Sequence, residues 1–309
     1  MRKTSPAAPP FALSLAIAVS SLAACGSGDI QTVQSDDQTV AGTVTAGVIS
    51  LPVSIDGTAT QPFVLDTGSV LTRLDPNRFS GLGLTPGFGP ISTLDVGGVV
   101  HLMDVDVYTA ELCNDMNMCR GTEPAGLLGG KELVTYRFTI DYRAQSVTFG
   151  DFTPPADVAA PFEVTFALEG GGEGMIAGTR VSLPATRIVV QVDIEGTLMP
   201  MILDTGSSTM VLKPELFDAL VADGREQTTI DLGTVAGTQQ VALTRVHSVA
   251  LAGETQTEVE AVRAPLDLGL IEAEVGHPVN GLLGGRYLEN YVTTIDYPAR
   301  LITLRAYPQ

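Results

Sequence analysis

The sequence predicts an all-β fold made of two related halves, and three observations carry that prediction. Short runs rich in Val, Ile and Thr are separated throughout by turn residues, 33 glycines and 19 prolines among 309 residues, which is the texture of many strands and tight turns. The tetrapeptide Asp66-Thr67-Gly68-Ser69 returns as Asp204-Thr205-Gly206-Ser207, each time behind an aliphatic run, Phe63-Val64-Leu65 and Met201-Ile202-Leu203. The segments around both tetrapeptides repeat as well. Val53-Ser54-Ile55-Asp56-Gly57-Thr58 matches Val192-Asp193-Ile194-Glu195-Gly196-Thr197, and Gly126-Leu127-Leu128-Gly129-Gly130 matches Gly281-Leu282-Leu283-Gly284-Gly285. Thr93-Leu94-Asp95-Val96-Gly97 echoes Thr229-Ile230-Asp231-Leu232-Gly233, and Ile140-Asp141-Tyr142 echoes Ile295-Asp296-Tyr297. The copies are offset by 138 residues at the aspartates (66 to 204) and by 155 at GLLGG (126 to 281), so the second carries 17 extra residues between these points. A single long offset is an internal duplication, not a short-period array.

Taken in order, residues 43–56 and 61–66 read as strands leading into the first tetrapeptide, and Asp75-Pro76 opens a short helical turn. Residues 90–112 read as a hairpin turning near Gly97-Gly98. Pro154-Pro155 breaks the pattern between the halves. Glu169 to Gly174 is a glycine-rich turn between strands near 162–168 and 179–194. Lys213 to Ala222 reads as a helix, with Pro214 in its first turn and Gly224 just past its end. These boundaries divide the chain into 43–155 and 156–309.

In the order DTGS, Leu-Leu-Gly, DTGS, Leu-Leu-Gly, residues 45–309 resemble the aspartic peptidases of the pepsin and retropepsin kind. GLLGG followed by a short helix and an Ile-Asp-Tyr strand makes the bacterial, retropepsin-like branch the nearest resemblance. It implies two barrels related by a pseudo-two-fold with a cleft between them, Asp66 and Asp204 as the catalytic pair, and a peptide or protein substrate. It also implies that Thr67 and Thr205 lock the two loops together and that Gly68 and Gly206 leave room for backbone amides. Ser69 and Ser207 would donate their hydroxyls to the carboxylates. Such donors favour the charged form, which sets the expectation of a mildly acidic optimum, roughly pH 4–6. Pepsin-like enzymes carry a tyrosine on the N-terminal flap; Ser92 to Leu102, the stretch most like a flap here, has none, and its counterpart would be Gly233 to Thr238.

The chemistry explains why two carboxylates are wanted. Hydrolysing an amide needs a base for the attacking water and an acid for the carbonyl, and two carboxyls about 3 Å apart supply both by holding one proton between them. Each chain would hold one complete site, so a monomer is expected, without a cofactor. His101, His247 and His277 show no ligand spacing, so no metal is expected. GLLGGK lacks the spacing and the Ser or Thr of a phosphate loop, and no serine-nucleophile elbow is present. The net charge of −18 excludes a basic nucleic-acid footprint. The alternative of a different class is a catalytically inactive peptide-binding lipoprotein that uses the same cleft.

The N-terminus reads as a targeting segment. Arg2 and Lys3 precede an apolar stretch, Phe11 to Ala24, too short to span a bilayer but suited to a signal-peptide core. Leu22-Ala23-Ala24-Cys25 resembles the bacterial lipobox, which implies a signal peptide at 1–24, lipidation of Cys25, a flexible tether at 25–42 and a membrane-anchored position in the cell envelope, facing the periplasm or exterior. Setting Cys25 aside leaves Cys113 and Cys119, an even pair in an exported chain, for which a disulfide is expected.

Overall fold

The computed structural model describes residues 38–110, 112, 124–176, 178–234, 237–264 and 268–308. The architecture is all-β. Its described helices are short: Gly130–Leu133, Pro214–Val221, Gly269–Val275, Gly285–Leu288 and the 3-10 turn Pro76–Leu82. None of them is long and apolar enough to cross a membrane.

Residues 43–128 form one sheet that closes on itself. Its order is Thr43–Thr45, Val48–Ile55, Gln61–Leu65, Gly126–Leu128, Arg73–Leu74, Val100–Thr109 and Gly87–Val96, and Val48–Ile55 also pairs with Gly87–Val96. The second sheet repeats the scheme with Ala167–Glu169, Arg187–Ile194, Thr197–Leu203, Gly281–Leu283, Met210–Leu212, Glu254–Arg263 and Gly237–Leu251, closed by Arg187–Ile194 on Gly237–Leu251, with Gln227–Thr234 added outside. Closure removes the exposed edges that an open sheet would present. The strand Val48–Ile55 shows the local logic: Ile49, Leu51, Val53 and Ile55 are buried and the residues between them are half exposed, the period of two that puts alternate side chains into a core. Asp56-Gly57 and Glu195-Gly196 both have positive φ, the two-residue turn whose twist suits a tight hairpin.

A six-stranded sheet joins the halves. Its order is Gln38–Ala41, Ser146–Phe149, Arg137–Asp141, Tyr291–Asp296, Leu301–Ala306 and Phe162–Thr165. At its centre Thr139 lies opposite Thr294, their hydroxyls 2.8 Å apart. Towards the edges Val40 pairs with Val147 and Val164 with Ile302. The tether expected at 25–42 therefore ends early: residues 38–41 are a strand, with Val40 buried in the core. The polar composition hid it, because one apolar residue is enough for an edge strand that buries one face. Residues 1–37, including the signal segment and Cys25, and residues 113–123, including Cys113 and Cys119, lie outside the described residues.

Two other expectations change. The glycine-rich segment is not a simple turn: Gly172–Ile176 and Thr179–Leu183 form a separate two-stranded hairpin before Arg187–Ile194. The register also corrects the alignment of the halves. Val53 faces Val96 and Ile55 faces Leu94, while Val192 faces Leu251 and Ile194 faces Val249. Leu94-Asp95-Val96 thus corresponds to Val249-Ala250-Leu251, not to 230–232, and Gly97-Gly98 corresponds to Ala252-Gly253. All 17 extra residues fall before that turn, where Gln227–Thr234 pairs with the leading part of Gly237–Leu251 from Gln227↔Thr244 to Thr234↔Gly237. The first half has no such hairpin among the described residues. Ser92 to Leu102 is not a flap: Gly97 N–H donates to Pro52 O at 2.8 Å, and a Cβ on Gly97 would stand 2.4 Å from Val40 Cγ1. Pro52 lies opposite Pro62, at the end of the strand Gln61–Leu65 away from Asp66.

Candidate active site

Each aspartate is placed by a strand running into a loop that two other strands support. Leu65 pairs in parallel with Leu128, and Asp66 N–H donates to Leu128 O at 3.0 Å; Leu203 pairs with Leu283, and Asp204 N–H donates to Leu283 O at 3.0 Å. Leu128 and Leu283, which pack beneath the loops, are buried. The glycines after them are required by close approach. A Cβ on Gly129 would stand 2.3 Å from Leu71 C, and one on Gly284 2.3 Å from Thr209 O. The next glycine in each half touches the other half: Gly130 faces Thr186, and Gly285 faces Gly47.

The structure brings the two DTGS loops together. Thr67 N–H donates to Thr205 Oγ1 at 3.1 Å and Thr205 N–H to Thr67 Oγ1 at 3.1 Å. Each hydroxyl reaches on into the opposite half, Thr67 Oγ1 to Leu203 O at 2.9 Å and Thr205 Oγ1 to Leu65 O at 2.6 Å. Both threonines are fully buried, so this reciprocal set is a rigid tie between the halves. Gly68 and Gly206 matter more than expected. A Cβ on Gly68 would fall 2.3 Å from the carboxyl carbon of Asp204, and one on Gly206 2.4 Å from that of Asp66. Each glycine leaves room for the other half's carboxylate.

The carboxylates are held alike. Asp66 Oδ1 accepts from Gly68 N–H at 2.9 Å and Ser69 N–H at 3.0 Å; Asp204 Oδ1 accepts from Gly206 N–H at 2.9 Å and Ser207 N–H at 3.1 Å. The serine hydroxyls do not take the expected part. Ser69 Oγ donates to Leu71 O at 2.8 Å and Ser207 Oγ to Thr209 O at 2.9 Å. A short side chain two residues before a free carbonyl satisfies that local acceptor first, and the loop's own amides already bond Oδ1 of each carboxylate. The expectation that these hydroxyls lower the pair's titration is therefore withdrawn. Ser69→Ala with Ser207→Ala should leave the pH profile of kcat/KM unmoved, since neither hydroxyl bonds a carboxylate, and should cost about 1 kcal/mol of stability per lost bond. A thermal melt and a pH profile of the double variant check both parts.

Burial raises both carboxyls above the ordinary range. For Asp66 the Asp204 charge adds to burial and the Asp204 side chain accepts its proton; for Asp204 the bonds from Gly206 N–H, Asp66 and Ser207 N–H oppose burial. Both members of the pair therefore hold a proton more readily than an ordinary carboxyl, and their titration belongs to the pair. Both residues are buried, with 8 % exposure for Asp66 and 9 % for Asp204. The histidines sit elsewhere on the surface, His101 beside Asp95, His247 beside Glu258 and His277 beside Glu169.

Two further ionisable groups flank the loops, Arg187 and Glu132. Glu132, in the helix Gly130–Leu133, is buried behind the first loop, where Thr72 Oγ1 donates to its carboxylate and accepts from Gly129 N–H at 3.0 Å. Burial pushes Glu132 up to about 7. Because its folded value lies above its unfolded value of 4.5, the proton it keeps contributes stability in full below pH 4.5, and that contribution is lost as pH rises through 7. The loss amounts to about 3 kcal/mol. Glu132→Gln has no charge to bury, so its melting temperature relative to wild type should rise between pH 4.5 and pH 8. A difference that stays constant across that range would contradict this.

A family model described as aspartyl protease matches residues 190–287. That segment runs from within the strand Arg187–Ile194, through Asp204-Thr205-Gly206-Ser207, to the second GLLGG and its helix. No curated protein matches the chain.

Proposed function

We propose that the chain is an aspartic endopeptidase whose single site is shared by two duplicated halves, Asp66 coming from one and Asp204 from the other. The observation that carries this reading is the reciprocal fit of the two loops, in which each glycine leaves space for the opposite carboxylate and each threonine bonds into the opposite half. The family match over residues 190–287 supports the class for the second half.

The mechanism follows from one proton on two carboxyls. The ionised member takes a proton from a water between them as that water attacks the peptide carbonyl, and the protonated member donates to the carbonyl oxygen. The carboxyl that took the water's proton then passes it to the nitrogen as the C–N bond breaks, and the other carboxylate takes back a hydroxyl proton as the carbonyl re-forms, which restores the one-proton pair. The backbone N–H groups of Gly68, Ser69, Gly206 and Ser207 hold the carboxylates in place while charge moves between them. Titration belongs to the pair, so kcat/KM should form a bell between its two macroscopic steps. Cleavage of casein or a quenched peptide, inhibited by a statine peptide of the pepstatin type, tests the reading. Statine binding without turnover would support the inactive peptide-binding alternative.

The same reading takes the chain as an exported lipoprotein. Residues 1–24 are removed, Cys25 is lipidated and holds the enzyme at the cell envelope, and Cys113 is disulfide-bonded to Cys119. The supporting features are the charged start, the short apolar stretch, Leu22-Ala23-Ala24-Cys25 and the even cysteine pair. Intact mass of membrane-extracted protein tests it: an unacylated mature chain with three alkylatable thiols would refute both modifications.

A further inference from the structure

The two halves are alike at the carboxylates and unlike immediately beside them. Arg187 begins the strand Arg187–Ile194, and the matching register of Val53 with Val96 and of Val192 with Leu251 makes Val48 its counterpart in the first half. Its side chain is 12 % exposed. Nη1 donates to Gly68 O, in the loop of the other half. On the opposite side Nη2 and Nε donate to Glu274 Oε2 at 2.9 and 3.3 Å. Glu274 stands on the helix Gly269–Val275, and Gly170, whose missing side chain would meet Glu274 Oε1 at 3.0 Å and Arg187 Cγ at 3.3 Å, leaves space for the pair.

We propose that Arg187, clamped by Glu274, is a positioning residue for the paired carboxylates: it ties the Gly68 carbonyl of the opposite loop and sets one permanent cation against the pair, with no counterpart in the first half. This rests on the peptidase reading only for its consequence in turnover.

A guanidinium beside two carboxyls favours their ionised forms, and a carboxylate bound to that guanidinium weakens the effect. The other titratable groups facing this corner are Tyr297 and Glu169. Tyr297 is fully buried with its hydroxyl donating to Thr186 O at 3.4 Å, and burial drives its phenol far above any working pH. Glu169 is the cross-strand neighbour of Arg187, but its carboxylate is taken by His277 at 2.5 Å. Arg187 lowers both carboxyls against the dominant effect of burial.

The clamp makes a prediction in two directions that loss of packing alone would not produce. Arg187→Met removes the cation and should move the carboxyl titration, and with it the bell of kcat/KM, to higher pH by about half a unit or more. Glu274→Gln leaves the cation uncompensated and should move both to lower pH. Arg187→Lys keeps the charge and should restore the wild-type bell position while kcat/KM stays reduced, because one ammonium cannot hold both Gly68 O and Glu274 as the planar fork does.

The test is a 13C NMR titration of the Asp66 and Asp204 carboxyl carbons in the wild-type chain and the three variants, together with kcat/KM against pH. Opposite shifts for Arg187→Met and Glu274→Gln support the proposal. Unmoved titrations, or shifts in the same direction, overturn it. Because the titration needs no turnover, absent peptide cleavage would count against the peptidase reading and leave this result standing. Glu274→Gln is an isosteric change at a partly exposed site, so it decides the sign even if Arg187→Met does not fold.

Discussion

Asp66→Asn and Asp204→Asn should each lower kcat/KM by at least about 10³-fold, with the melting transition retained. The size follows from losing acid–base chemistry, worth about 10²–10⁴-fold, together with the held water that both carboxyls position. Either amide removes the shared proton, because Asn can neither ionise nor pass a proton on. The fold survives since Asn keeps an oxygen able to accept from Gly68 and Ser69 N–H, or from Gly206 and Ser207 N–H, and since it relieves the charge crowding that raises Asp66. The double variant should be no worse than either single one, because the carboxyls work as a unit. Measured kcat/KM with a quenched peptide, beside thermal melts, checks each part; activity near wild type in either single variant would contradict a shared site.

Thr67→Val should be the most damaging change that leaves both carboxylates in place. The methyl replaces a hydroxyl of nearly the same volume at a fully buried position, so packing is preserved and hydrogen bonding alone is lost. Leu203 O loses its donor and Thr205 N–H its acceptor. Leaving buried polar groups unpaired costs about 1–3 kcal/mol each, so about 2–6 kcal/mol in all, and the melting temperature should fall by about 4–11 °C for a chain of this size. Thr205→Val should behave the same way, stripping Leu65 O and Thr67 N–H of their partners. Because these bonds tie one half to the other, the two losses should not add: once one threonine is gone, the loops separate and the second has less to lose. A double-mutant cycle by thermal or denaturant melting measures that coupling, and strictly additive losses would argue against a single tie.

The parts of this molecule legible in its sequence are those that sterics and repetition dictate. Asp66-Thr67-Gly68-Ser69 and Gly126-Leu127-Leu128-Gly129-Gly130 could be read because loops, crossing strands and glycines at close approach tolerate few residue types, and each motif occurs twice. The all-β class followed from short Val-, Ile- and Thr-rich runs separated by turn residues. What stayed hidden depends on partners far along the chain. Nothing in Ser69 or Ser207 says whether a hydroxyl will turn to a carboxylate or to a carbonyl two residues on, since both lie within reach. The alignment of 93–97 with 229–233 failed because two strands with the same alternation are interchangeable as strings, and only the cross-strand pairs of Val96 with Val53 and Leu251 with Val192 separate them. Arg187 at a strand end and Glu132 in a short helix carry no mark of their partners, Gly68 and Glu274 for the one and Thr72 for the other; the one signal for Arg187 in the sequence is that Val48 stands at its position in the first half.

The account stands on one site per chain, built from both halves. Calorimetric titration with a statine peptide, whose secondary alcohol stands in for the tetrahedral intermediate between the carboxyls, measures that most directly. The account predicts one equivalent bound per wild-type chain and affinity weakened at least about 100-fold in both Asp66→Asn and Asp204→Asn. Two equivalents per chain, or affinity unchanged by either substitution, would contradict it.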